Sequence, residues 1–128
     1  MSVQTQTHGR FKAFTGKLQA DRSLGSLADE VSAWARAAKA APKSIGVEYL
    51  EASQRLVLTV GYRDDEPGYP VKLTSVSLGR ISRLEGDELA GLESKMEAAA
   101  ARLSDVICHE LFITEDDEFL MVFMTRDA

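Results

Sequence analysis

The spacing of apolar positions changes period several times along the chain, and each change marks an element. Residues 1–9 carry no period: they are polar, rich in Gln and Thr, closed by Gly9, and read as a disordered tail. Residues 10–14 alternate weakly and fit an edge strand, although Phe11, Phe14 and Leu18 would equally share one face of a helix, so both readings stay open. From residue 26 the period is helical. Ser26 stands as N-cap with Asp29 three residues on, the spacing of a capping box, and Leu27, Val31, Trp34 and Ala38 follow on one face. Trp34 is expected to anchor the core. Pro42 ends the helix.

The period then drops to two. Ile45, Val47 and Tyr49 define a strand over 45–51, the polar stretch Glu51-Ala52-Ser53-Gln54 turns the chain, and Leu56, Leu58, Val60 and Tyr62 define a second strand over 56–63. Pro67-Gly68, inside "RDDEPGYP", is a turn dipeptide, and a third strand follows over 71–78. Gly79 and Gly86 bracket a short connection. Asp87 caps a second helix over 88–103, striped by Leu89, Leu92, Met96, Ala99 and Leu103. Two last strands, 105–114 and 118–126, are joined by Glu115-Asp116-Asp117. The order α-β-β-β-α-β-β predicts an α+β fold. Its expected form is a mainly antiparallel five-stranded sheet with two helices on one face, plus an optional N-terminal strand. At 128 residues the chain is expected to form one domain over 10–128 behind the tail.

The closing hairpin breaks the usual alternation. Val106, Cys108, Glu110 and Phe112 point one way and Ile107, His109, Leu111 and Ile113 the other, and both rows are mostly apolar. The next strand repeats this, with Phe119, Met121 and Phe123 against Leu120, Val122 and Met124. An antiparallel sheet with one wet face would read apolar-in, polar-out. Two helices on a single face cannot cover both rows, so the expected second cover is another subunit, a bound partner or the N-terminal arm folded back. Met121, Val122 and Met124 become candidate interface residues on this reading.

The same alternation separates Cys108 from His109, neighbours that face opposite sides and therefore form no thiolate–imidazole pair. His8, the other histidine, lies in the tail. No spacing of the C-x₂-C or H-x₃-H kind is present, so no metal, catalytic residue or cofactor is expected. Glu110 is the uncomfortable residue, because an apolar row should not hold a lone carboxylate. Tyr62 and Tyr69 flank the Asp64-Asp65-Glu66 turn with Arg63 beside them, and they suit either a hairpin brace or the mouth of a ligand site. The candidate ligand or interface set is thus Tyr62, Arg63, Tyr69, His109, Glu110, Met121, Val122 and Met124. The two acidic turns lack the spacing and glycine of a calcium loop, and the parallel run expected of strands 71–78 and 105–114 would put them at opposite ends of the sheet.

Charge changes the picture only at the N-terminus. Residues 1–22 hold four basic side chains against one acidic, and the rest hold 11 against 19, for a net charge of −5. That balance argues against a nucleic-acid-binding body; the arm over 10–22 is expected to pack on its own acidic body or to be mobile, with an acidic partner or nucleic acid as the functional alternative. No apolar run approaches the 18 residues of a membrane span, no secretory signal opens the chain, and a single cysteine suits a reducing compartment, so the expected location is cytoplasmic.

The element order resembles the arrangement of secretion chaperones, small acidic proteins that dimerise and present a surface to a client; their final helix has no counterpart after Ala128. The resemblance implies a homodimer with a protein client. Together with the greasy hairpin, it leads to an expected non-enzymatic, homodimeric interaction or chaperone-like module. The alternative is a small-molecule-binding protein or enzyme with its pocket between sheet and helices.

Overall fold

Six strands and two helices follow one another as β1 (Arg10–Lys17), α1 (Ser26–Ala38), β2 (Ala41–Leu50), β3 (Arg55–Arg63), β4 (Val71–Arg80), α2 (Asp87–Ala101), β5 (Val106–Ile113) and β6 (Glu118–Arg126). The computed structural model describes residues 9–83 and 85–127. The tail expected over 1–9 therefore lies, for residues 1–8, outside the described residues. The ambiguous N-terminal segment is a strand: β1 pairs antiparallel with β3 from Arg10↔Tyr62 to Lys17↔Arg55.

The α+β class stands, but the expected five-stranded sheet is two three-stranded antiparallel sheets, ordered β1-β3-β2 and β4-β6-β5. The meander breaks in the loop before β4, and the cause is local. Gly68 passes so close to Lys39 that a Cβ there would collide with the Lys39 carbonyl. Tyr69 donates its N–H to the Ala40 carbonyl at 3.1 Å and its hydroxyl to the Pro42 carbonyl at 2.5 Å. Tethered at the α1–β2 junction, the chain enters β4 beside β6 instead of returning along β3.

Helix α1 buries Leu27, Val31 and Ala35, a row at four-residue spacing, and Trp34 packs edge-on between Phe14 and Tyr62 with ring centroids 5.7 and 4.9 Å away. Its start departs from the expected capping box. Gly25 occupies the cap position with φ of 56°, and no side chain caps the helix. The helix stops at Lys39, which takes the left-handed conformation and donates its N–H to Ala35, three residues before Pro42. At α2 the cap position is likewise Gly86 rather than Asp87; Asp87 and Glu88 lie in the first turn, where carboxylates favour the positive end of the helix dipole.

Two cores result. The inner faces of both sheets and α1 enclose the larger one, with Leu56, Leu58 and Val60 of β3 facing Leu120, Val122 and Met124 of β6. The smaller lies on the opposite face of β4-β6-β5, where Leu92 and Ala99 of α2 cover Leu78, Phe119, Met121 and Phe123. The helices thus do not share a face. One closes the space between the sheets and the other roofs the far side of the second sheet, so both greasy rows of β6 are covered by the chain itself. The expectation that another molecule must supply the second cover is overturned for β6. Met121, Val122 and Met124 are 3%, 0% and 0% exposed, interior residues rather than a presented row.

Since β4 and β5 both run antiparallel to β6, they run parallel to each other, as anticipated. The acidic loops after β3 and β5 consequently lie at opposite ends of the second sheet.

Candidate interaction surface

The remaining candidate positions divide into braces and a margin. Tyr62 and Tyr69 do not meet at a pocket mouth. Tyr62 stacks edge-on against Trp34, whereas Tyr69 is held through its hydroxyl at Pro42, with the Arg126 guanidinium 4.0 Å from its ring centroid and the Lys43 ammonium at 5.9 Å. Arg63 is bound to Asp65 by two hydrogen bonds of 2.8 and 2.5 Å. These residues fasten the loop.

The acidic turns are fastened likewise. Asp64 pairs with Arg10 at 2.7 Å and Glu66 with Lys43 at 2.6 Å. Asp116 pairs with Arg80 at 2.9 Å and accepts the Thr114 hydroxyl, and these two partners hold its carboxyl down at about 2. Glu118 receives Arg22 at 2.8 Å and the Ser77 hydroxyl at 2.7 Å. The basic arm therefore does pack on its own acidic body, through Arg10 and Arg22. No group of three or more His, Cys, Asp or Glu side chains among the described residues is placed to share a metal ion.

Strand β5 holds what the fold does not absorb. Its register slips between Val106 and Cys108, where a bulge at Ile107 inserts one extra residue. Strict alternation put Val106 on the face of Cys108. The bulge instead sets Val106 opposite Thr125, on the face that also carries His109, Leu111 and Ile113 opposite Phe123, Met121 and Phe119. Helix α2 shares the smaller core with β4 and β6, and of this row only Leu111 packs against that core. Val106 is 39% exposed and Ile113 46%, His109 is exposed with its ring 6.4 Å from that of Phe123, and Leu111 is half-buried. A row of three apolar residues and one imidazole is left beside the helix. Sequence reasoning selected His109 and missed Val106, Leu111 and Ile113, whose exposure depends on where α2 ends.

The other face of β5 is inward. Cys108 and Ile107 both pack on the larger core, and burial, followed by the charge of Glu110, pushes the Cys108 thiol up to about 11. A thiol held protonated is a poor nucleophile. Glu110 sits where β5 passes β2: its Oε1 accepts the Leu111 N–H at 3.3 Å and its Oε2 is 4.0 Å from where a Cβ on Gly46 would stand. It makes no ion pair among the described residues. Farther along this seam Tyr49 stacks at 6.4 Å from Phe112, and burial plus its hydrogen bond to Glu115 pushes its hydroxyl up to about 12.

The space that the two sheets and α1 enclose is occupied by the larger core. Hollows of about 290 to 480 Å³ open on the surface instead, and none of these five brings together two of Tyr62, Tyr69, His109 and Glu110. No helix among the described residues is long and apolar enough to cross a membrane. Comparison of the chain with protein-family models, with curated proteins and with solved structures finds no match.

Proposed function

We propose that the protein is a non-enzymatic interaction module that self-associates through the outer row of β5. The observation that supports this reading is the uncovered set Val106, His109, Leu111 and Ile113 beside the end of the α2 roof. A symmetric pair of such rows is the commonest way for one surface to cover itself. Full burial of an aliphatic side chain stabilises by about 1.5–3 kcal/mol, so finishing the burial of three half-covered ones contributes a few kcal/mol. That magnitude fits a concentration-dependent dimer rather than an obligate one. In the cell such a module would bring two copies of a client-binding surface together, the role that its chaperone-like element order implies.

Sedimentation across the micromolar range tests the proposal. The mass should climb toward twice the 14.0 kDa of one chain, and Ile113→Lys should hold it at one chain with an unchanged circular dichroism spectrum. A wild type that keeps the single-chain mass throughout refutes the reading.

A further inference from the structure

At the opposite edge of the second sheet from β5, a groove of about 430 Å³ runs between the second half of β4 and α2. Its strand wall is Val76 to Gly79 and its helix wall carries Lys95, Ala98, Ala99 and Arg102. Strand β4 is outermost in its sheet. Its first half is closed off by α1, which shares the larger core with Val71 and Leu73, and by the Ser75 hydroxyl donating to the Arg22 carbonyl at 2.7 Å. No strand among the described residues pairs with the outer edge of the second half, residues 76–79, where a bulge at Leu78 shifts the register with β6 and the Gly79 N–H donates to the Ser77 hydroxyl at 3.3 Å.

The groove is lined by positive charge. Arg10, Arg22, Arg36, Lys43, Arg63, Arg80 and Arg83 pair with carboxylates of the chain, whereas Lys12, Lys17, Lys39, Arg55, Lys72 and Arg126 form no ion pair among the described residues. Lys95 and Arg102 likewise pair with no carboxylate among the described residues, and Lys95 instead donates to the Leu78 carbonyl at 3.0 Å. No carboxylate lines the groove. Glu118, bound to Ser77 of the strand wall, is already neutralised by Arg22. On a chain of net charge −5, two unpaired cations over an apolar floor are a local reversal of sign.

We propose that this groove docks an extended acidic segment of another protein, its backbone along residues 76–79 and its carboxylates on Lys95 and Arg102. The spacing suits that occupant. The two cations stand seven positions apart along the helix and its C-cap, a rise of about 10.5 Å. That rise falls between the roughly 6.7 and 13.4 Å that separate same-side residues two and four apart on an extended segment, and the long lysine and arginine stems take up the difference. Strand addition at a free edge gives such a segment backbone hydrogen bonds, while the cations select its charge. In the empty groove the Lys95 ammonium on the Leu78 carbonyl guards the edge, a common use of lysine at exposed strands, and docking exchanges that carbonyl for a carboxylate.

The test is fluorescence anisotropy with a labelled hexapeptide alternating glutamate and valine, against the same peptide with lysine in place of glutamate. The glutamate peptide should bind saturably and more weakly as salt rises. The double variant Lys95→Glu/Arg102→Glu should weaken it at least tenfold, while Lys12→Glu, which changes the net charge at an exposed site on β1, should weaken it less than twofold. Both groove side chains are exposed, so folding is checked simply by circular dichroism. Absence of saturable binding to the wild type, equal binding by the double variant, or equal binding of the lysine peptide overturns the proposal. Ile113→Lys should leave peptide binding intact, which keeps this outcome separate from that of self-association.

Discussion

Strands β5 and β6 form one hairpin and carry nearly the same composition, yet they have opposite fates. Seven successive residues of β6, Phe119 to Thr125, are buried, whereas β5 buries only Phe112 and leaves Val106, His109 and Ile113 exposed. The difference is one of position. The central strand has a neighbour on each side, the larger core beneath it and α2 above it. The marginal strand has the core beneath and the end of a helical roof above. Hydrophobicity on both faces therefore reports complete burial in one strand and an available surface in the next, and only the location of α2 separates the two meanings.

The largest expected effect comes from placing a charge in each strand. Val122→Asp puts an unpaired carboxylate in a site with no exposure, and a loss above about 4 kcal/mol is expected, enough to abolish the cooperative urea transition. Ile113→Asp at the margin should keep that transition within about 1 kcal/mol of wild type, since the side chain is already half in water. Equal damage from both would erase the distinction between the strands.

Truncation grades the same contrast. Phe123→Ala, fully buried under α2, should cost about 3–5 kcal/mol, and Leu111→Ala, half-buried beside it, less than half as much, both read as shifts of the urea midpoint. Between these falls Gly68→Ala, which touches neither strand but forces apart the loop contact at Lys39 that assigns β4 to the second sheet. Overpacking of this kind costs about 1–3 kcal/mol.

Two titrations probe smaller differences. Asp116, in the turn that joins the strands, has its pKa lowered to about 2 from 3.8 by Thr114 and Arg80. A group depressed in the folded state contributes stability above its unfolded pKa and loses it on acidification, so stability should fall between pH 4 and 2. Thr114→Val combined with Arg80→Ala should flatten that slope. At alkaline pH the neighbours Cys108 and His109 should part company. Iodoacetamide should alkylate the folded thiol at pH 8 far more slowly than the unfolded one, because it remains protonated up to about 11, while diethyl pyrocarbonate should modify His109 readily. Rapid alkylation would place Cys108 outside the core.

Much of this architecture could be read from side-chain order, and the failures have specific causes. The period-two pattern located β6 at 118–126 as observed, and it located the other strands and both helices within a few residues, because burial of a face imposes its period directly. It did not reveal that β3 and β4 part company. Pairing depends on what the connecting loop touches, and the contact of Gly68 with Lys39 links residues 29 apart. Nor did it reveal the bulge at Ile107, since one inserted residue leaves the composition of both rows apolar while changing which row Val106 joins. In the closing hairpin the sequence singled out His109, which is exposed, together with Met121, Val122 and Met124, which β6 buries. It weighed faces by greasiness, and the exposed face is decided by the extent of α2.

The most direct test of the account is a dilution series followed by methyl-resolved NMR, because it reads β5 and β6 in one sample. With rising concentration the methyl signals of Val106, Leu111 and Ile113 should shift together along one saturable curve, while those of Val122 and Met124 stay fixed. Signals of the β5 row that do not move with concentration, or movement shared equally by Val122 and Met124, would contradict it.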